Sequence, residues 1–305
     1  MQCLNCESFD VHLWTKASDF EYFTTNKEFN YYYCKVCKVL FINPLPENDL
    51  KKIYPNNYYS FIDQKSNLVI KIKNCMDNLL FKKLLVKIKS NNISILDIGG
   101  GTGCLLDNLK SLDSRIAYTR IVDIDSKSKK IALRNNHKYF CGKIENFNTD
   151  KKFDLIIMLN LIEHVKSPTI ILKKVKSMLK KNGKILIKTP NYKSLDALIF
   201  RKSYWGGLHC PRHWIIFSAS SFKNISNLVG LKIHKFKYTQ GAPFWSLSIL
   251  HFLHKKNIIN INNKVSMMDH KLNPLLMGFF GAFDFIRMIF MKTSQMIIIL
   301  EKNKY

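Results

Sequence analysis

The stretch Ile95-Leu96-Asp97-Ile98-Gly99-Gly100-Gly101-Thr102-Gly103 decides the fold of this chain, and Val122-Asp123-Ile124-Asp125 completes its meaning about twenty residues later. A short apolar strand turns on glycines into a helix, and a second strand ends in an acid. Glycines let the backbone approach a bound group closely, while a carboxylate on the neighbouring strand accepts hydrogen bonds from two ribose hydroxyls. The pattern predicts an α/β sheet that holds an adenosine-containing cofactor.

Glycine spacing separates the two cofactor classes that use this plan. A dinucleotide site has glycines as GxGxxG, so that a pyrophosphate rests on the helix N-terminus. Here they fall at 99, 101 and 103, and Cys104 stands where the third dinucleotide glycine belongs. Asp97, two residues ahead, suits a cationic amino-acid moiety better than a phosphate. The pattern Asp-x-Gly-x-Gly-x-Gly resembles the first motif of class I S-adenosylmethionine (SAM)-dependent methyltransferases. That resemblance implies SAM as cofactor, with Asp97, Gly99, Gly101 and Gly103 around its methionine and ribose portions. It also implies Asp123 on the ribose hydroxyls and Ile124 against the adenine. Many relatives carry an adenine-reading acid near the third strand, where Cys141-Gly142-Lys143-Ile144-Glu145 has a lysine; Glu145 or a backbone group is then left for that contact.

With 305 residues, 47% of them apolar, the chain can bury one large core plus an appendage. Its net charge of +26 comes almost entirely from lysine, for only six arginines occur. Lys173, Lys174, Lys176, Lys180 and Lys181 alternate with apolar helix positions and read as a solvated face. Two origins of the charge stay open, an AT-rich genome and a functional basic surface. Scarce arginine and the lack of an aromatic-patterned basic stripe argue against nucleic acid as partner. An RNA base methyltransferase would also carry Asn/Asp-Pro-Pro-aromatic where this chain has Asn160-Leu161-Ile162-Glu163. A basic region followed by an apolar run does not open the chain, and the eight cysteines fit a reduced, cytoplasmic setting.

Cys3-x2-Cys6 and Cys34-x2-Cys37 stand 27 residues apart, the second pair inside an aromatic, strand-like run over 29–41. Two such knuckles can close a tetrahedral structural Zn²⁺ site, which replaces the core that a small module lacks; a redox dithiol pair and unrelated buried cysteines remain as alternatives. The expected organisation is a zinc-ribbon-like module over 1–45, a helical connector over 46–90 and the larger domain over 91–305. Aromatic clusters at 54–59 and Phe61 lie in the connector. Strands over 93–98, 116–123, 138–141, 153–158, 184–189, 231–238 and 295–302 alternate with helices. This predicts a Rossmann-like, doubly wound, mostly parallel seven-stranded sheet. The helix opening at Ser167-Pro168 is expected to run to Asn182-Gly183. A loop over 190–217 and a helical insert over 240–293 interrupt the pattern. Within the insert, 275–291 is apolar except for Asp284 and Arg287, too short for a transmembrane span. A packed helix, an oligomer surface and a peripheral contact at the inner face of the membrane all remain open for it.

Residues past the carboxyl ends of parallel strands line the ligand crevice, so Glu163 and His164 are expected at the cofactor's reactive end. The loop carries Tyr204-Trp205-Gly206-Gly207-Leu208-His209-Cys210-Pro211-Arg212-His213-Trp214. Together with the CxxC pairs, Asn43-Pro44 and Tyr58-Tyr59, it resembles a bacterial methyltransferase subfamily with a zinc-ribbon-like head, often encoded beside surface-polysaccharide genes. This implies a small-molecule or glycan acceptor, a sugar hydroxyl first. A hydroxyl acceptor has to lose its proton, a task suited to histidine. His213 is the first candidate base, His164 the second, with Tyr204 and His209 in support. Arg212 can fork onto an acceptor phosphate or carboxylate. A loop packed by its aromatics, with histidine as a satisfied donor, is the plain alternative.

Overall fold

Two sheets organise the chain, and the order in which their strands join places the site. The computed structural model describes residues 1–55, 68–202, 205–262 and 267–303. The first sheet begins with β1 (Val11–Ser18), β2 (Glu28–Cys34) and β3 (Leu40–Asn43), an antiparallel meander. The aromatic run over 29–41 is thus two strands rather than one. Between them a tight turn closes with Lys38 N–H donating to Cys34 O at 2.9 Å, and Lys38 takes a positive φ of 59°. The connector holds α1 (Leu50–Ile53) and α2 (Leu68–Leu85). Tyr58, Tyr59 and Phe61 lie outside the described residues.

The larger domain runs β4 (Ile93–Ile98), α3 (Cys104–Leu112), β5 (Ile116–Asp123), α4 (Ser126–Arg134), β6 (Lys138–Cys141), β7 (Phe153–Leu159), α5 (Pro168–Met178) and β8 (Leu179–Pro190). Then come α6 (Leu195–Ile199), β9 (Ile215–Ile216), α7 (Ala219–Leu228), β10 (Leu231–Thr239), α8 (Ala242–Lys255), α9 (Asn273–Arg287) and β11 (Gln295–Lys302). Seven strands lie in the order β10-β11-β8-β7-β4-β5-β6, and β11 alone runs against the rest. β4 is buried along its whole length, as a strand covered by helices on both faces must be. From β4 the chain steps outward to β5 and β6, then returns to β7 on the other side. Ligands of such sheets bind at this reversal, beyond the carboxyl ends of β4 and β7.

α5 stops at Met178, several residues before the expected Asn182-Gly183 end. Leu179 continues the helical apolar period but pairs with Phe153 of β7, and Lys180 Nζ reaches Asp154 at 2.7 Å. Gly183 lies in the strand, where a Cβ would sit 2.8 Å from Phe153 O. Its lack of a side chain serves strand packing rather than helix termination.

The first 45 residues do not pack alone. β9 is the fourth strand of their sheet, in the order β1-β2-β3-β9. Cys3, Cys34, Cys37, Val39 and Phe41 share one apolar cluster with Leu96, Met158 and Ile187 of the larger sheet. The 205–217 segment, expected as a loop over the active site, is buried throughout and forms the seam between the sheets. The insert between β10 and β11 is helical as expected, with a small core of its own around Leu247, Leu250, Ile261 and Met267.

Candidate active site

The glycine turn after β4 is built by backbone geometry and by space. Gly99, Gly101 and Gly103 have φ of 79°, 51° and 89°, the left-handed region that side chains avoid. An added Cβ at Gly101 would touch nothing within 4 Å, so the demand there is conformational. Gly100 is the reverse: its Cβ would lie 2.6 Å from Asp97 Oδ2.

Asp123 closes the turn from the neighbouring strand. Its Oδ2 accepts the Gly101 N–H at 2.9 Å and its Oδ1 the Asp125 N–H at 2.9 Å. Asp125 itself caps α4, accepting from the amides of Lys127 and Ser128 at 2.9 and 3.1 Å. Asp97 is 3% exposed, and burial together with the nearby Asp123 carboxylate pushes its carboxyl up to about 7. Burial also raises Asp123. Among the described residues no cation pairs with either acid. The tips of β4 and β5 therefore form a negative concavity whose carboxylates a cationic ligand would relieve.

Ile124 follows Asp123 with its side chain 57% exposed. Glu145 lies on a turn after β6 with an exposed side chain, its carbonyl taken by Lys174 Nζ at 2.5 Å. What touches Asp123 from that direction is Gly142, whose N–H donates to Asp123 O at 2.8 Å.

Past β7, a single helical turn over Ile162–His164 sets two side chains against the buried seam. Glu163 does not reach the crevice as expected. It has no exposed surface; its Oε2 accepts Thr189 Oγ1–H at 2.9 Å, and its Oε1 lies 3.9 Å from His213 Nε2 with no hydrogen-bond partner. Burial pushes this carboxyl up to about 8, so it is protonated at neutral pH.

The structure buries the first candidate base, His213, more deeply than the second, His164. His213 is 4% exposed. Its Nδ1–H donates to Gly207 O at 2.8 Å, and burial holds the imidazole well below its usual range. His164 is half-buried and reaches solvent. Its Nδ1 lies 3.0 Å from Arg212 O and 2.9 Å from Tyr54 Oη. A carbonyl only accepts, so Nδ1 carries the proton and Nε2 the lone pair. Burial lowers this imidazole to about 3, leaving it neutral. The ring of His213 crosses that of His164 at 4.7 Å, and His209 follows at 5.0 Å from His213.

Arg212 does not offer its fork to an acceptor. It is fully buried, with NH1 and NH2 on the two carboxylate oxygens of Asp19 at 3.1 and 2.8 Å. Its Nε donates to Ile53 O at 2.6 Å and NH1 also to Cys210 O at 3.1 Å. Likewise His209 Nδ1 meets Glu21 Oε2 at 2.6 Å. Tyr204 lies outside the described residues. Sequence reading missed Asp19, Glu21 and Tyr54; the signal available was two acids placed among aromatics in a chain with only 22 acids.

The four N-terminal cysteines converge. Cys3 and Cys37 Sγ are 3.5 Å apart, Cys6 and Cys34 Sγ 3.6 Å, and all four sulfurs lie within 4.8 Å of one another.

A family model described as a methyltransferase domain matches residues 72–235. The ubiquinone biosynthesis O-methyltransferase of Bradyrhizobium diazoefficiens is 28% identical over 122 residues, 37% of this chain and 46% of that protein. Its namesake in Pelagibacter ubique is 32% identical over 117 residues, 36% of this chain and 46% of that protein. The chain thus spans about half the length of the curated relatives it matches. The crystal structure of coclaurine N-methyltransferase bound to N-methylheliamine and SAH aligns with a TM-score of 0.53 at 16% identity, over 84% of this chain and 81% of that one, a likeness of fold.

The buried Glu163 carboxyl makes stability depend on pH. Its pKa is raised by folding, so the protonated side chain costs nothing extra at acid pH. Stability is then lost as pH climbs from about 4.5 toward about 8, by at most about 1.4 kcal/mol per unit. Thermal melting of wild type and Glu163→Gln at pH 5, 6.5 and 8 should show the variant gaining on wild type as pH rises. A constant difference between them would refute the assignment.

Proposed function

The chain belongs to the methyltransferase domain family, and on that premise we propose that it transfers a methyl group from SAM to a hydroxyl of a small-molecule acceptor. The observation that carries the reading is the pair of Asp97, buried, and Asp123, half-buried, beside the glycine turn, with no cation on either acid among the described residues. SAM bears a sulfonium and an α-ammonium, and a negative concavity at the sheet's reversal favours such charges. Asp97 and the turn hold the amino-acid end in this reading. Asp123 takes the ribose hydroxyls, and Ile124 lies against the adenine. When bound, SAM supplies an electrophilic methyl whose sulfur leaves as a neutral thioether. The protein has then to orient the acceptor, exclude water and take one proton.

His164 is assigned the proton. Its Nε2 lone pair is set by the donation from Nδ1 to Arg212 O, and of the three clustered histidines it alone has more than a sliver of exposed surface. His213 packs edge-on against its ring at 4.7 Å, with Glu163 beyond. The O-methyltransferase relatives favour oxygen as the accepting atom, and the cysteine-headed resemblance favours a sugar hydroxyl.

Cys3, Cys6, Cys34 and Cys37 are proposed to hold one structural zinc. A tetrahedral ion with Zn–S bonds of about 2.3 Å separates its sulfurs by about 3.8 Å, and the two closest pairs here are 3.5 and 3.6 Å apart. Four thiolates leave no open position, so the ion would staple the head and take no part in methyl transfer.

Titration calorimetry tests the cofactor site. Asp123→Ala should weaken SAM binding at least tenfold. Wild-type affinity should climb from pH 6 to pH 8 as Asp97 ionises, and Asp97→Asn should flatten that climb; unchanged affinity in Asp123→Ala, or a flat wild-type profile, overturns the site. For the base, His164→Asn keeps an amide donor toward Arg212 O but lacks the lone pair, so kcat should fall roughly 10²- to 10⁴-fold with SAM affinity intact. His213→Asn should lose less than tenfold, and the reverse ranking would move the role to His213. Metal analysis of purified protein should find one zinc per chain, absent from Cys34→Ser/Cys37→Ser; a folded wild type without metal removes the zinc assignment.

A further inference from the structure

Helix α9 is inside out. Leu275, Phe279 and Ile286 are between 66% and 72% exposed, and Ile289 and Phe290 in the turn after it are 68% and 82% exposed. The three on the helix recur at spacings of 4 and 7, which makes one continuous apolar stripe, and the turn after it extends the apolar surface. The polar residues face inward instead. Asp284 is fully buried, accepting from Arg287 NH1 at 2.8 Å, Gly241 N–H at 3.0 Å and Trp245 Nε1–H at 3.3 Å. Asn273 accepts Ser246 Oγ–H at 2.7 Å from the same inner side. Burying an ion pair while presenting aromatics to water is the opposite of what a solvent-facing helix does. Nearby, Leu198 and Ile199 of α6 are exposed and line an apolar groove with Phe252 of α8, edged by Arg201 and Lys202.

We propose that the outward face of α9 lies on the surface of an anionic lipid bilayer, its apolar stripe among the acyl chains and Lys271 and Lys292 at its two ends on lipid phosphates. Charge selects this occupant. Between residues 240 and 292 the exposed charges described are Lys255, Lys256, Lys271 and Lys292 against Asp269 alone, and the whole chain carries +26. A second copy would bring the same lysines against these and an equal net charge, with little acid to pair them. An anionic membrane surface supplies the opposite sign and an apolar layer together. The helix lies on the bilayer rather than through it: its 15 residues extend about 22 Å against a hydrocarbon core of about 30 Å. Among the described residues no helix is long and apolar enough to cross a membrane. The inference is independent of the methyl-transfer reading.

Co-sedimentation of the full chain with vesicles tests it. Vesicles of phosphatidylcholine and phosphatidylglycerol at 3:1 should bind the protein at least tenfold more strongly than pure phosphatidylcholine, and 0.5 M NaCl should erase most of that preference. Phe279→Glu/Ile286→Glu should reduce binding to the anionic vesicles at least tenfold without altering the thermal melt. Lys271→Gln/Lys292→Gln, which leaves the stripe intact, should reduce it at least threefold. Failure to bind anionic vesicles overturns the proposal, as does equal binding to both vesicle types or full binding by the Phe279→Glu/Ile286→Glu protein. A concentration-dependent dimer abolished by that variant, with no vesicle binding, would assign the stripe to a second copy and overturn it too.

Discussion

The buried pair of Arg212 and Asp19 is the constraint on which the arrangement of this molecule rests. One guanidinium gathers three separate pieces of chain: the acid after β1, the carbonyl of Ile53 at the end of α1, and the seam at Cys210. Such a pair gains little over an apolar substitute, because desolvating both charges offsets their attraction. Taking away one partner alone strands a charge in the core, at a cost of about 3–5 kcal/mol. The interaction therefore specifies a geometry more than it adds stability. The geometry includes the site, because the carbonyl of the same Arg212 holds the His164 ring.

Two kinds of electrostatics then meet around the crevice. On the β4 and β5 side, acids lie close together with burial raising both. On the β7 side the imidazoles of His164 and His213 are kept neutral by the same desolvation. One half suits positive charge and the other holds a lone pair close by, the division that the proposed methyl transfer to a hydroxyl would require.

Much of the larger sheet could be read from residue order. Buried parallel strands are largely apolar runs, and the glycines and acid after the first have few other uses, so 93–98 and 153–158 lie in strands as expected. The end of α5 was hidden because Leu179 satisfies the helical period and the strand pairing equally, and only its contact with Phe153 decides between them. The burial of the seam, open in the sequence as the packed-loop alternative, was hidden for a different reason. His209 and Arg212 look like surface chemistry until Glu21 and Asp19, nearly 200 residues away in sequence, are seen to meet them. Local pattern carries no record of such pairings. The convergence of the four cysteines was legible in their spacing, whereas the inverted polarity of α9 showed only as a run with two charges in it.

The fourth strand of the N-terminal sheet has a consequence for how the chain is made. β3 emerges early from the ribosome, but its partner β9 follows some 170 residues later, and Tyr31 waits equally long for the carbonyls of Leu208 and His213. A module that looks like an independent N-terminal unit is thus left with an open edge while those residues are made. Four thiolates gathered around the proposed ion would hold the nascent hairpins together through that interval, and the cysteines would then serve assembly as much as the finished fold.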